Sequence, residues 1–268
     1  LIAGGAMLGY LRSDIDLSAI AIEIFGIAEM PILLAIPLFT FAGYVLSESK
    51  APDRLVRVTN ALLGWMPGGL AIVAIVACSF FTAFTGASGV TIIALGALLY
   101  PALQQSGYSD KFNLGLLTAG ASLGLLFAPS LPLILYGVVA QVSIDDLFIA
   151  GILPGILMMA IVAAYCLWMN RHNRQPISDF SFREVFGALR EAMWEIPLPV
   201  IVLGGIYSGY LAVSEAAAVT SLYVLVVEVF IKREIAFKAL PGIVRESMVL
   251  VGGILLILGA SLASTNYM

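Results

Sequence analysis

The chain has 268 residues, 61% hydrophobic and 11% charged, where soluble globular domains have about 45–50% and about 25%. Its 13 Lys and Arg against 17 Asp and Glu give a net charge of −4, so it has no dense basic face for nucleic acid, and its composition excludes a soluble enzyme domain. A mean hydropathy of +1.04 with 26 Gly and 12 Pro predicts an all-α polytopic membrane protein, because neighbouring helices satisfy the backbone groups that Gly and Pro free. Cys78 and Cys166 lie in apolar stretches and imply no disulfide framework. The apolar start at Leu1 and the abrupt end at Met268 predict a fragment lacking membrane segments at one or both ends.

A spanning helix needs about 20 apolar residues. In chain order the expected spans are residues 1–11 (cut short), 30–46, 112–141, 148–170, 196–211, 215–231 and 248–264. Residues 15–28, followed by Glu29 and containing Glu23, read as an interfacial helix. Between the second and third spans, the apolar runs 68–84 and 92–103 are split by the small, polar segment from Thr85 to Thr91. The second run is too short to cross alone, which predicts a re-entrant helical hairpin over about 66–103, followed by a broken helix over about 112–141. If the hairpin returns to its own side, every Lys and Arg except Arg12 faces one side, which the positive-inside rule makes the cytoplasm. The loops around Asp145-Asp146 and Val213-Ser214 carry no basic residue. The polar stretch 171–194 then reads as a cytoplasmic connector between a first half, 1–170, and the start of a second, 195–268. A faint echo between residues 4–11 and 204–211 fits the internal repeats of transporters.

The hairpin tip carries the most chemistry. Thr85, Ser88 and Thr91 bring hydroxyls, and Gly86 and Gly89 let the backbone turn and expose carbonyls. Broken helices place carbonyls and positive helix ends near mid-membrane, suited to Na⁺ and to an anionic group respectively; the other reading is a packing patch of small residues. A second break falls at Pro129 and Pro132, which free carbonyls between Gly124 and Ala128; the other reading is a simple kink. Two such breaks together suit an oxygen-only site for a hard cation. Ser214 before Glu215 reads as a helix cap with a carboxylate at the positive helix end. His172, the one histidine, falls in the polar connector. Gly86-Ala87-Ser88-Gly89 also fits the Gly-x-Ser-Gly pattern of rhomboid-type intramembrane serine proteases, but the serine lacks an intramembrane base, and there is no His-Glu-x-x-His for a metalloprotease.

These landmarks resemble the large membrane subunit of tripartite ATP-independent periplasmic (TRAP) transporters, the DctM-like family. The resemblance is carried by the run from Ile36 to Leu46, the tip from Thr85 to Thr91, and Ala128-Pro129-Ser130-Leu131-Pro132 through Gly137. Gly151 to Gly155, Gly204 to Gly209, and Ser214-Glu215 through Val219 extend it, all in order and spacing. The family commonly has Pro-Pro-Ser where this chain has Ala128-Pro129-Ser130, and Thr-Pro-Thr-Glu where it has Ala212-Val213-Ser214-Glu215. The resemblance implies an elevator-type secondary transporter in the bacterial inner membrane, not an enzyme, with Na⁺ as coupling ion and no other cofactor. Its implied partners are an organic-acid substrate, a periplasmic substrate-binding protein, a small TRAP membrane subunit and the lipid bilayer. By similarity, Thr85, Gly86 and Ser88 of the tip and Gly124, Phe127 and Ala128 of the broken helix would hold Na⁺, with substrate near Thr91 and Ser130. A Na⁺- or H⁺-coupled anion transporter of similar architecture, independent of a binding protein, is the alternative.

Overall fold

The computed structural model describes residues 25–26, 30–66, 68–169 and 181–265. Among them all regular structure is helical. A 3-10 turn, Pro31–Leu34, runs into α1 (Ala35–Glu48). The amphipathic α2 (Ala51–Leu63) follows, with a proline and Asp53 in its first turn, where a missing N–H and a negative charge are both tolerated. The hairpin is α3 (Gly69–Thr85) and α4 (Ser88–Gln105). The broken helix is α5 (Asp110–Leu123), a 3-10 turn at Gly124–Leu126, and α6 (Leu131–Ala140), bent by 44°. The 26-residue α7 (Ile144–Met169) leads to α8 (Phe182–Glu191) and α9 (Pro197–Tyr207). The last elements are α10 (Val213–Leu225), extended by a π-helical segment Val226–Ile231, and α11 (Leu240–Thr265).

Five helices are long and apolar enough to cross a membrane, and the bent pair makes a sixth. They include the segments expected at 30–46, 148–170, 215–231 and 248–264, and the bent pair falls at 112–141. Two expectations shift. The segment expected to span at 196–211 is only the 11-residue α9, because Gly209 turns with φ +72° and the Leu211 N–H closes onto the Gly205 carbonyl (3.0 Å). Conversely, α4 runs unbroken through Gly89 and Thr91, giving 18 residues where the apolar run alone is shorter. The expected span 1–11, Glu23 and Glu29 of the interfacial segment, Arg12 and His172 lie outside the described residues.

The core is organised around α1, whose Ala35, Ile36, Phe39, Ala42 and Val45 are almost wholly buried. On one side α10 and α11 pack against it, and the Ser221 hydroxyl donates to the Leu38 carbonyl (2.7 Å). On the other side lies α3, which also touches α2, α4, α5 and the 3-10 turn of the broken helix. The hairpin and the break therefore share one interior. By contrast, Leu153, Leu157, Ile161 and Trp168 of α7 point outward, as an apolar helix does when lipid is its solvent.

Candidate ion site between the hairpin tip and the broken helix

Near the end of the apolar α3, Ser79, Thr82 and Thr85 recur every three residues and so share one face. All three are fully buried. Ser79 donates to the Gly120 carbonyl of α5 (3.0 Å), and Thr82 donates to Thr91 Oγ1 of α4 (2.6 Å). Thr85 Oγ1 lies 3.3 Å from Thr91 Oγ1 and donates to the Ala87 carbonyl (3.4 Å). The chain reverses at Gly86, whose φ of +65° favours glycine and whose N–H closes onto the Thr82 carbonyl (2.7 Å). Gly89, expected to share in the turn, instead sits in the first turn of α4 with open space where a side chain would be. Ala87 has no capping side chain, so the first amides of α4 are left open.

At the break, the Phe127 N–H closes the 3-10 turn onto the Gly124 carbonyl (3.1 Å), and the chain then extends through a cis Ala128-Pro129 bond. The buried Ser130 donates to the Leu125 carbonyl (2.5 Å). Among the described residues no hydrogen-bond donor reaches the carbonyls of Gly86, Phe127 or Ala128. Pro132 lies in the first turn of α6, where its missing N–H costs nothing.

Three close approaches join tip, break and α1. A Cβ on Gly86 would lie 2.7 Å from Leu131 Cγ, and one on Gly124 would lie 2.5 Å from Thr82 Cβ and closer still to the Ser79 carbonyl oxygen. A Cβ on Gly43 of α1 would run into the Thr85 backbone. Thr85, Gly86 and Ser88 thus stand beside the segment holding Gly124, Phe127 and Ala128. Their roles differ in detail. The Ser88 hydroxyl is half-buried and has no partner among the described residues, whereas the Gly124 carbonyl already accepts the Phe127 N–H. The Phe127 ring packs on Gly155. Thr91 and Ser130, the candidate substrate residues, are fully buried with hydroxyls engaged inside the protein. Thr82, Ser79 and Gly43 were not singled out from the sequence; the three-residue spacing of hydroxyls in α3 was the signal for the first two.

Two other features are structural. Ala212, not Ser214, is the N-cap of α10, and Glu215 reaches back to accept the Ala212 N–H (2.9 Å). That is half of a capping box, the other half being closed to an alanine. At one end of the bundle the buried Arg54 of α2 pairs with Glu195 (2.5 Å), Glu228 (3.3 Å) and Glu234 (2.5 Å). Burial works against the Arg54 charge, but its hydrogen bond to the Glu234 carboxylate and the charges of Glu195 and Glu228 hold its pKa above the ordinary value. The more exposed Arg57 pairs with Glu184 and Glu191 of α8. Lys50, Arg54, Arg57, Arg190 and Lys232 line one cavity of about 440 Å³, so α2, α8 and the segment after α10 lie at the same end.

Helices long enough to span, a hairpin seated on a bent pair and outward apolar faces define a multi-pass membrane protein. The whole chain, residues 1–268, matches the family model for the tripartite ATP-independent periplasmic transporter, DctM component. It is 35% identical over 91% of its length to the C4-dicarboxylate TRAP transporter large permease protein of Pseudomonas aeruginosa, covering 57% of that protein. It is 34% identical over 97% of its length to the ectoine/5-hydroxyectoine TRAP transporter large permease protein of Ruegeria pomeroyi, covering 61% of it. Against the isethionate TRAP transporter permease protein of Oleidesulfovibrio alaskensis the identity is 36% over 80% of the chain and 34% of the relative. The chain belongs to the DctM family of TRAP transporter large permeases, a family of transporters of the bacterial inner membrane and not of enzymes. It spans about three-fifths of the length of the first two relatives.

Proposed function

We propose that this chain is part of a permease that couples the import of an organic acid to Na⁺, the solute being delivered by a periplasmic binding protein and the assembly completed by a small membrane subunit. The observation that carries the reading is the junction of two non-helical backbone segments, the Gly86 turn and the 127–130 break, inside an apolar bundle. Lipid does not tolerate unpaired carbonyls, whereas a hard cation takes them as ligands. Gly86, Phe127 and Ala128 offer carbonyls without donors, and Ser88 offers an unengaged hydroxyl. Thr85 and Gly124 complete the candidate Na⁺ set, with substrate beside it near Thr91 and Ser130. The hairpin is read as re-entrant from its tip, which packs on α1 and the broken helix, α4 itself being long enough to cross, and it moves with the broken helix as the mobile part of an elevator. The basic end of the bundle, with the 171–194 connector, faces the cytoplasm. Relatives named for C4-dicarboxylates and for 2,3-diketo-L-gulonate support an acidic solute.

The test is uptake by the full-length permease with its small subunit in liposomes. Substrate is expected to accumulate only when an inward Na⁺ gradient and the cognate binding protein are both supplied. Equal uptake without the binding protein refutes the tripartite reading and favours the binding-protein-independent alternative.

A further inference from the structure

Thr40, Thr59, Thr118 and Thr220 each turn their hydroxyl back to the carbonyl four residues earlier on their own helix. This is the usual refuge of a helical threonine. Thr82 does not. Its hydroxyl crosses to the other arm of the hairpin and donates to Thr91 Oγ1 at 2.6 Å, the shortest of the hydroxyl contacts at the tip. A hydroxyl has one proton, so Thr91 is left free to donate to Thr85 Oγ1 at 3.3 Å. Thr85, having accepted, sends its own proton to the Ala87 carbonyl at 3.4 Å, with the Thr82 carbonyl at 3.5 Å as the alternative acceptor. All three side chains are fully buried, so no solvent competes for these protons. The chain of hydroxyls therefore has one sense, set at its first member, and ends on the backbone of the turn that follows Gly86.

We propose that Thr82 is a positioning residue of the hairpin tip: by donating to Thr91 it fixes the sense of the chain Thr82 to Thr91 to Thr85 to the Ala87 carbonyl. That sense holds the turn in the conformation that presents its free oxygens to the broken helix. The inference rests on the ion-site reading above and adds to it a residue outside the candidate ligand set. It also gives Thr91 a second part beside the proposed substrate position, because a hydroxyl that accepts from Thr82 and donates to Thr85 ties the two hairpin arms together. Losing the first donor leaves the sense of the chain unset. In a Thr82→Val protein nothing donates to Thr91, so either of Thr91 and Thr85 can donate to the other, and the Ala87 carbonyl is no longer held all the time. Valine is close to threonine in shape, and a serine at the same position restores the donor.

The experiment is a Na⁺ titration of uptake by full-length permease, small subunit and binding protein in liposomes, for wild type, Thr82→Val and Thr82→Ser. Thr82→Val is expected to raise the Na⁺ half-saturation about five- to tenfold at unchanged maximal rate, the size expected from loss of about one hydrogen bond. Thr82→Ser is expected to stay within about twofold of wild type on the same scale. In Na⁺-free detergent, hydrogen–deuterium exchange over residues 82–91 is expected to be faster in Thr82→Val than in wild type and restored in Thr82→Ser; this reads the chain even if the valine protein transports poorly. An unchanged half-saturation in Thr82→Val, or a serine variant as defective as the valine one, overturns the proposal. Wild-type uptake that ignores Na⁺ instead refutes the ion-site reading, and the exchange experiment then judges the hydroxyl chain by itself.

Discussion

Gly124→Ala tests whether the hairpin and the broken helix are held together by contact that admits only glycine. The added Cβ would lie 2.5 Å from Thr82 Cβ and would meet the Ser79 carbonyl oxygen, where ordinary carbon contacts sit at about 3.5–4.0 Å. One obstacle is backbone, so no change of rotamer relieves it, and α3 must retreat by about 1 Å. That retreat also stretches the hydrogen bond from Ser79 to Gly120, now 3.0 Å. Overpacking of this kind costs about 1–3 kcal/mol, or about 2–10 °C in melting midpoint for a protein of this size. The control is Gly96→Ala in α4, where a Cβ meets nothing within 4 Å and the gain in helix propensity is about 0.5–1 kcal/mol. Apparent melting midpoints of full-length permease in detergent separate the two: a fall for Gly124→Ala, and no loss or a small rise for Gly96→Ala. A Gly124→Ala protein that melts with wild type would refute the close approach.

The tip yields a second contrast: Ser88→Ala removes one unengaged hydroxyl and should raise the Na⁺ half-saturation about five- to a hundredfold while transport recovers at high Na⁺. Gly86→Val should not recover, because its Cβ would sit 2.7 Å from Leu131 Cγ at a φ of +65°; an unchanged half-saturation in Ser88→Ala would remove Ser88 from the ligand set. For topology, a cysteine replacing Ser178 in the connector should resist a membrane-impermeant thiol reagent in intact cells, while one replacing the exposed Ser143 should label, and the reverse pattern would invert the orientation. At low pH, the Glu234 carboxyl is the group to follow: burial pushes its pKa up, but hydrogen bonds from Arg54 and the Lys50 N–H outweigh this and hold it below the usual 4.5. Its stabilising effect is therefore complete above that usual value and disappears as pH falls through the lowered one. Melting midpoints of Glu234→Gln should lack that part of the acid loss, and an acid limb identical to wild type would show that Glu234 does not contribute.

The sequence by itself determined the membrane class, because an excess of apolar residues and a shortage of charge are properties of composition. It also located the hairpin tip and the break, because glycine and proline act on the backbone at their own positions. Helix ends were less legible. Pro197 and Gly209 confine α9 to 11 residues, and Gly89 sits within α4 without turning it. What only the tertiary structure decided is which polar groups are already engaged. Thr82 with Thr91, Ser130 with the Leu125 carbonyl, and Arg54 with Glu195, Glu228 and Glu234 each depend on how closely segments approach in space. For Arg54 and Glu234 those segments are 180 residues apart. Periodicity assigns a residue to a face, but the partner of its hydroxyl or guanidinium is set by clearances such as those at Gly43, Gly86 and Gly124, which exist only once the helices have packed.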